Sequence, residues 1–287
     1  MAIRHVVFDF DGSCTLVQDI SDRFLAEYGR RFAQSDARIP REWEAALEVV
    51  RRRSPHSGWM LGGKPSAPCA ADPYILAFEA ARYLTWKLDL GPIPDDLHGL
   101  AYDHAIAGLR PDLTMVLREL TARGLHVSFV SNSSTTRIQS RLTEHLAGEP
   151  RVLEKIRVIG DAAKFAIREI RPDAAVPAAL AVLFDRVAAT TVVKGLDRPI
   201  YLRRGAYMEA LSKVWNNRAA AVEETLVCGD IWELDLALPA ALGAQVHLIT
   251  RAAPSDTYPY ELEATRATGS QGGTSSDLAG SLDRLGV

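Results

Sequence analysis

The fold is decided by a stretch close to the start of the chain, Val6-Val7-Phe8-Asp9-Phe10-Asp11-Gly12. Residues 3–8 form a short, mostly apolar run that is typical of a strand buried in a parallel sheet. Asp9 and Asp11 follow at once, and residues i and i+2 of an extended chain project to the same side. Two such carboxylates repel each other unless a cation or a proton lies between them. The stretch therefore predicts a buried strand that ends in a Mg²⁺ site or a split acid/base pair.

Further strands and helices alternate after Pro111, where a helical pattern with leucine and valine at i, i+3, i+4 and i+7 begins. This alternation predicts an α/β fold in which helices cover both faces of a Rossmann-like parallel sheet. A Ser/Gly-rich loop is expected at 268–276, before a final short helix. The later strands are predicted at Leu125–Val130, Ile156–Gly160, Pro199–Arg203, Thr225–Cys228 and Gln245–Thr250.

A long stretch between the first strand and Pro111 interrupts this alternation. Helical spacing of Ala, Leu, Glu and Arg recurs near 19–35, 40–53, 72–88 and 94–108, with no convincing strand. Prolines and glycines between 55 and 68 indicate one long loop within it. We therefore predict an all-helical domain at 17–108, inserted into an α/β core that comprises 1–16 and 109–287.

Two other predicted strands also end in polar residues, and ligands of open parallel sheets bind at the carboxyl ends of the strands. Ser131-Asn132 offers a hydroxyl and an amide for an anionic oxygen. Asp230 and Asp235 add carboxylates for a hard metal ion. Each pattern alone is also typical of a turn, a helix cap or a solvated helix face. Their joint occurrence at three strand ends favours a common site.

Composition limits the possible partners. The 287 residues carry 33 basic and 36 acidic side chains, a formal charge of −3. This balance argues against a nucleic-acid or membrane-surface binder, which needs a basic excess, but it allows a local anion pocket. Three well-separated cysteines with no C-x-x-C pair argue against a disulfide framework and favour a reducing cytoplasm. The oligomeric state and the identity of a small substrate stay open.

The motifs together resemble the haloacid dehalogenase superfamily of phosphohydrolases. The matching residues are Val6–Gly12, Val127–Asn132 and Val227–Asp235, in the order and setting of that superfamily. The helical insertion lies where one class carries a cap domain, and within the superfamily the chain looks like a bacterial subgroup. The resemblance thus implies a haloacid dehalogenase-like core with an inserted helical cap.

The resemblance also implies residue roles. Asp9 would be the nucleophile that forms an aspartyl-phosphate, and Asp11 would protonate the leaving oxygen and later accept a proton from water. Mg²⁺ would be held by the Asp9 carboxylate, the Asp11 carbonyl and Asp230, with Asp235 completing or orienting that shell. The binding of phosphoryl oxygens is implied for the Ser131 hydroxyl and the Asn132 N–H, and Gly12 is expected among the substrate-binding residues.

One element of the superfamily pattern, a basic residue near the nucleophile, has no single position here. Arg204 precedes a predicted helix, as the superfamily's basic residue usually does, and it is the first candidate. Lys164, after the strand that ends at Gly160, is its rival, and Lys194 and Arg203 remain alternatives. A second departure is Ser13, which replaces the usual threonine but keeps a hydroxyl.

The acid at position 11 bears on the reaction. Superfamily dehalogenases lack it, because a departing halide needs no proton, whereas an alkoxide leaving group does. A Mg²⁺-dependent phosphatase acting on a small phosphorylated metabolite is therefore the expected function. The alternatives are a phosphotransferase or mutase that uses the same intermediate, and a catalytically weak binding or regulatory protein on this fold.

Overall fold

The structure is a computed structural model that describes residues 2–216, 218–253 and 255–286. Its strands are β1 (His5–Phe8), β2 (Gly58–Leu61), β3 (Lys64–Pro68), β4 (His126–Val130), β5 (Ile156–Ile159), β6 (Thr190–Thr191), β7 (Ile200–Tyr201), β8 (Thr225–Gly229), β9 (Gln245–Ile249) and β10 (Gly272–Ser275). Its helices are α1 (Ser21–Phe32), α2 (Ile39–Arg53), α3 (Pro73–Leu88), α4 (Leu97–His104), α5 (Leu113–Ala122), α6 (Thr135–His145), α7 (Pro150–Leu153), α8 (Ala178–Asp185), α9 (Gly205–Val214), α10 (Ala237–Leu242) and α11 (Pro259–Ala267).

The central sheet has six strands in the order β10-β9-β8-β1-β4-β5, and every pair in it is parallel. The first strand of the chain lies in the middle, with Phe8 opposite Phe129 of β4 and Cys228 of β8. The predicted α/β class with a Rossmann-like parallel sheet is confirmed.

β1 is buried on both faces, which explains its continuous apolar run. Val6 and Phe8 pack into one hydrophobic cluster with Phe129, while Val7 packs into a second cluster with Val130. Alternate residues of a strand face opposite sides of the sheet, so the two clusters lie on its two faces. Burial of each such large apolar side chain stabilises the fold by about 1.5–3 kcal/mol.

The chain divides into two compact units. One comprises Met1–Thr15, Leu109–Arg251 and Thr257–Val287, and the other comprises Leu16–Gly108 together with Ala252–Asp256. The second unit contains α1 to α4, near the four helical segments expected from the sequence, and has a hydrophobic core of its own. Within the described residues, no helix combines the length and apolar character needed to cross a bilayer.

The inserted segment is not all-helical, which corrects one detail of the prediction. β2 and β3 form an antiparallel hairpin where the sequence indicated a long loop. The turn is Gly62-Gly63, and both residues have positive φ (55° and 77°), which a tight hairpin turn requires and glycine adopts readily. Pro65 and Pro68 had argued against a strand, but neither strand of a two-stranded sheet is central, and edge strands accept proline.

In the first unit, one further prediction is wrong and another is confirmed only in part. The loop expected at 268–276 contains β10, which pairs with β9 although its sequence, Gly-Gly-Thr-Ser, is poor in strand-forming residues. The strand expected at Pro199–Arg203 is reduced to β7, which pairs antiparallel with β6 outside the central sheet. In both cases the neighbouring strand, rather than the local sequence, decides the outcome.

Candidate active site

Three strand ends meet at the carboxyl edge of the sheet. Asp9 follows β1, Ser131 follows β4 and Asp230 follows β8. The backbone N–H of Asp9 still donates to the carbonyl of Cys228 at 2.9 Å, so the two acidic loops diverge only after this bond. Since β1 lies between β4 and β8, the polar residues after these strands are neighbours in space.

Three carboxylates are brought together and buried. Asp9, Asp230 and Asp235 each place a carboxylate oxygen within 4.8 Å of the others, and their exposed fractions are 7%, 1% and 3%. Asp235 belongs to a π-helical turn, Trp232–Leu236, and its Oδ2 accepts the N–H of Ile231 at 3.0 Å. Three negative charges excluded from water need compensation, because desolvation strongly penalises unpaired ions.

Lys164 supplies part of that compensation. Its Nζ lies 2.5 Å from Oδ1 of Asp9 and 2.6 Å from Oδ1 of Asp235, and the side chain is 1% exposed. Burial alone disfavours the ammonium, but the carboxylates of Asp235 and Asp9 outweigh it and raise the pKa of Lys164 above its ordinary value. Lys164 therefore places a fixed positive charge between two of the three acids.

Two of the three acids, Asp9 and Asp230, have raised pKa values. Burial raises the pKa of Asp9, and the Lys164 ammonium offsets this only in part. Burial also raises the pKa of Asp230 well above its ordinary value, and the nearby Asp235 carboxylate adds to the effect. A divalent cation beside these carboxylates would favour their charged forms and so oppose both shifts.

The loop that carries Lys164 is fixed from both sides. Asp161 and Ala163 have positive φ (52° and 43°), which is uncommon for residues other than glycine. The N–H of Lys164 donates to Oδ1 of Asn132 at 2.7 Å, and its carbonyl accepts from Nη1 of Arg204 at 2.8 Å. The side chain of Asn132, a residue expected to bind substrate, therefore holds this loop.

Arg204, the first candidate for the basic residue, lies behind this loop and not beside Asp9. It is fully buried, and Nε donates to the carbonyl of Tyr201 at 3.1 Å. Of the other candidates, Arg203 pairs with Glu169, and Lys194 is exposed. Among the four, Lys164 is the residue that the structure places against Asp9, which corrects the preference for Arg204. The preference failed because the loop from 161 to 163 has no sequence signal.

The residues present fit a divalent cation. Oδ2 of Asp230 is buried and has no hydrogen-bond partner in the described part of the chain. The Ser13 hydroxyl bridges the two acids, donating toward Oδ1 of Asp230 at 2.9 Å and Oδ2 of Asp9 at 3.1 Å. Both oxygens of Asp235 are already used, by Lys164 and Ile231. A metal ion would thus be held by Asp9 and Asp230, with Asp235 orienting Lys164.

Gly12 keeps the space beside Asp230 open. Its φ is +86°, and a Cβ there would lie 2.5 Å from Oδ2 of Asp230. Its N–H donates to Oγ1 of Thr15 at 3.0 Å, so this group serves the turn. Gly12, expected among the substrate-binding residues, therefore shapes the loop after β1 where this loop passes the Asp230 carboxylate.

Asp11 is half-buried at the same edge and accepts a hydrogen bond from the Ser133 hydroxyl. The Ser131 hydroxyl accepts the N–H of Ser133 at 3.2 Å, which leaves its own hydrogen for an anionic oxygen. The buried carboxylate of Asp9, a second carboxyl group, a fixed ammonium and a hydroxyl donor are thus present at one edge of the sheet. This set can perform nucleophilic substitution with proton transfer.

Arg251 was not expected from the sequence. Its fully buried guanidinium donates to the backbone carbonyl of Asp230 and pairs with Glu261, whose Oε1 accepts the N–H of Trp232 at 3.0 Å. This buried pair holds the loop between β8 and the Asp235 turn. The one feature of the sequence that could have indicated this role is the position of Arg251, two residues after the end of β9.

Comparison with solved structures gives neighbours from the haloacid dehalogenase superfamily. The HAD-hydrolase YfnB from Bacillus subtilis, bound to magnesium, is 11% identical, with all of both chains covered and a TM-score of 0.51. A predicted phosphoglycolate phosphatase from Haemophilus somnus is 15% identical, covering 98% of this chain and 97% of that one, at 0.48. The L-2-haloacid dehalogenase from Xanthobacter autotrophicus is 19% identical, covering 93% and 83%, at 0.45.

No protein-family model matches the chain, and no curated protein matches it at a significant level. The likeness to YfnB shows that the chain has the haloacid dehalogenase-like fold.

Proposed function

We propose that this chain, which has the haloacid dehalogenase-like fold, is a Mg²⁺-dependent phosphatase that hydrolyses a small phosphorylated metabolite through an aspartyl-phosphate on Asp9. The observation that carries the proposal is the cluster of Asp9, Asp230 and Asp235, three buried carboxylates of which two, Asp9 and Asp235, pair with the ammonium of Lys164. The excess negative charge suits a divalent cation, and a phosphate dianion needs such a cation to approach.

Asp11 supports phosphate-ester cleavage over dehalogenation. In the first step an Asp9 carboxylate oxygen attacks phosphorus, the bond from phosphorus to the ester oxygen breaks, and Asp11 gives that oxygen a proton. In the second step Asp11 takes a proton from water, the water oxygen attacks phosphorus, and the bond to Asp9 breaks. A departing halide would need no proton from Asp11.

The other residues hold the phosphoryl group and the nucleophile. The Ser131 hydroxyl and the backbone N–H of Asn132 would donate to the phosphoryl oxygens, which become more negative in the transition state. Lys164 fixes the Asp9 carboxylate through a contact of 2.5 Å. Its position is in turn maintained by the Asn132 amide and by Arg204.

Asp9, Asp230 and the backbone carbonyl of Asp11 would hold Mg²⁺. When bound, this ion neutralises charge between the carboxylates and the phosphate. Asp230 offers Oδ2 for this purpose, an atom with no hydrogen-bond partner among the described residues, and Ser13 keeps the Asp9 and Asp230 carboxylates together.

A phosphate-ester panel with added Mg²⁺ or with EDTA tests the proposal. The wild-type protein should release inorganic phosphate from at least one ester with Mg²⁺ and lose this activity with EDTA. Asp9→Asn should abolish release, whereas Asp185→Asn, the same change at an exposed acid outside the cluster, should not affect it. Release that survives in Asp9→Asn would contradict the proposal. Transfer of phosphate to an added alcohol in place of water would favour the phosphotransferase alternative.

A further inference from the structure

The hydroxyl of Ser133 donates a hydrogen bond to Oδ2 of Asp11. The contact joins the loop after β4 to the loop after β1, and both residues are half-buried. Ser133 takes no part in either of the two proposed steps of phosphate-ester hydrolysis. Its contact nevertheless reaches the one group that must deliver a proton to the leaving oxygen.

The backbone of Ser133 is held firmly, so its hydroxyl has a defined origin. Its N–H donates to Oγ of Ser131 at 3.2 Å, and its carbonyl accepts the N–H of Asp161 at 2.9 Å. The chain also passes very close to Gly160, where an added Cβ would lie 2.5 Å from the Ser133 carbonyl oxygen. These contacts tie Ser133 to the ends of both β4 and β5.

A hydrogen bond to one carboxyl oxygen decides what the other can do. The last torsion of an aspartate side chain is broad and roughly two-fold, so the hydrogen bonds to a carboxyl group decide its orientation. While Ser133 donates to Oδ2, that oxygen serves as an acceptor, and the transferable proton of Asp11 belongs on Oδ1. General acid catalysis depends on such placement, because the proton must lie within hydrogen-bond reach of the leaving oxygen.

We propose that Ser133 is a positioning residue for Asp11 and thereby determines how well the enzyme expels basic leaving groups. This inference rests on the proposed phosphatase function. As the phosphorus–ester bond breaks, the proton passes from Oδ1 of Asp11 to the departing oxygen. In the second step Asp11 recovers a proton from water. Ser133 keeps its own hydrogen throughout.

Two esters of similar shape test the inference with Mg²⁺ present. The p-nitrophenolate of p-nitrophenyl phosphate leaves without a proton, whereas the alkoxide of p-nitrobenzyl phosphate needs one. Ser133→Ala should lower kcat for the benzyl ester by about 10-fold to 100-fold, within the range of general acid catalysis and its positioning. For the phenyl ester the change should stay below about 3-fold, because little proton transfer is needed there.

A double-mutant cycle separates positioning from a general structural role. Asp11→Asn should show the same dependence on the leaving group with a larger effect, and adding Ser133→Ala to it should cause no further loss. Ser133→Thr, which retains a hydroxyl, should restore most of the activity. The matched control is Ser134→Ala, which removes the cap that Oγ gives to the N–H of Arg137 at 3.3 Å. It should lower stability and leave the ratio of the two rates unchanged.

The possible failures are distinguishable. If Ser133→Ala slows both esters equally, or if its effect adds fully to that of Asp11→Asn, the role of Ser133 is overturned while the phosphatase function stands. If the wild-type protein hydrolyses neither ester nor any member of a wider phosphate panel, the proposed function is overturned, and the role of Ser133 with it.

Discussion

The Nζ of Lys164 lies between two aspartates, 2.5 Å from Oδ1 of Asp9 and 2.6 Å from Oδ1 of Asp235. Each acid comes from a different loop, so this ammonium joins the ends of β1 and β8 to the loop after β5. It balances one of three neighbouring charges, and Oδ2 of Asp230, which has no hydrogen-bond partner within residues 2–216, 218–253 and 255–286, marks where further positive charge is needed.

Lys164→Met should destabilise the protein strongly. Removing one partner of a buried pair leaves the other charges uncompensated, which typically costs about 3–5 kcal/mol. Urea unfolding in EDTA measures this loss. The matched control is Lys194→Met at an exposed position, where a change within about 0.5 kcal/mol is expected. Equal effects of the two substitutions would show that the Lys164 pairs add nothing to stability.

Mg²⁺ should stabilise the folded chain even without substrate. A ligand that binds only the folded state raises the free energy of unfolding by about 2.7 kcal/mol at 100 times its Kd. Thermal melting with MgCl₂, compared with NaCl at equal ionic strength, measures the shift in Tm. Asp230→Asn should remove the shift, and Asp185→Asn should retain it. If the Tm of the wild-type protein does not change on addition of Mg²⁺, this result would argue against the metal site.

Gly12→Ala should weaken Mg²⁺ binding as well as stability. The alanine would have to adopt the positive φ of 86°, and its methyl group would collide with the carboxylate of Asp230. Gly62→Ala is the matched control, because φ is +55° there and nothing lies within 4 Å of the added Cβ. Strained backbone alone costs about 1–3 kcal/mol, so any larger loss in Gly12→Ala measures the contact. Titration calorimetry with MgCl₂ should show weaker binding only in Gly12→Ala.

His247 should make stability fall as the pH is lowered. Its side chain on β9 is 2% exposed, one ring nitrogen lies 2.7 Å from Oγ of Ser275, and burial lowers its pKa from 6.5 to about 4. Below pH 6.5 the unfolded chain binds a proton that the folded chain does not. The contribution of neutral His247 is therefore complete above pH 6.5 and is lost as the pH falls toward 4.

The size of this pH effect follows from the difference between the pKa of His247 in the unfolded chain and its pKa in the folded chain. Between pH 7 and 4.5, His247 should account for about 2–3 kcal/mol of the lost unfolding free energy. Urea unfolding of His247→Gln at both pH values should show a correspondingly smaller loss. His104→Gln, at an exposed position, serves as the control and should keep the wild-type pH dependence. The same loss in His247→Gln would exclude this histidine as the cause.

The residues at the strand ends could be predicted because their strands are apolar and regular. β1, β4 and β8 each carry consecutive buried apolar residues, so Asp9, Ser131 and Asp230 had to follow at one edge. The basic residue could not be placed in the same way. The course of the loop to Lys164 depends on positive φ at Asp161 and Ala163, which neither residue type signals.

Contacts between side chains and distant backbone groups also could not be predicted from the sequence. Arg204 had the sequence position of a catalytic cation, yet its guanidinium binds the carbonyl of Lys164, 40 residues away. β10 was missed because its Gly-Gly-Thr-Ser sequence has little strand propensity of its own and becomes a strand by pairing with β9. Such features follow from packing between remote segments and not from local pattern.

The covalent role of Asp9 is the central claim, and acid-quenched labelling tests it most directly. The wild-type protein would be mixed with a ³²P-labelled ester that it hydrolyses and Mg²⁺, quenched in acid during turnover, and digested. We expect hydroxylamine-sensitive label on the peptide that contains Asp9, and none in Asp9→Asn. Rapid turnover of the ester with no label on Asp9 under any quench time, or with label that persists in Asp9→Asn, would contradict the account.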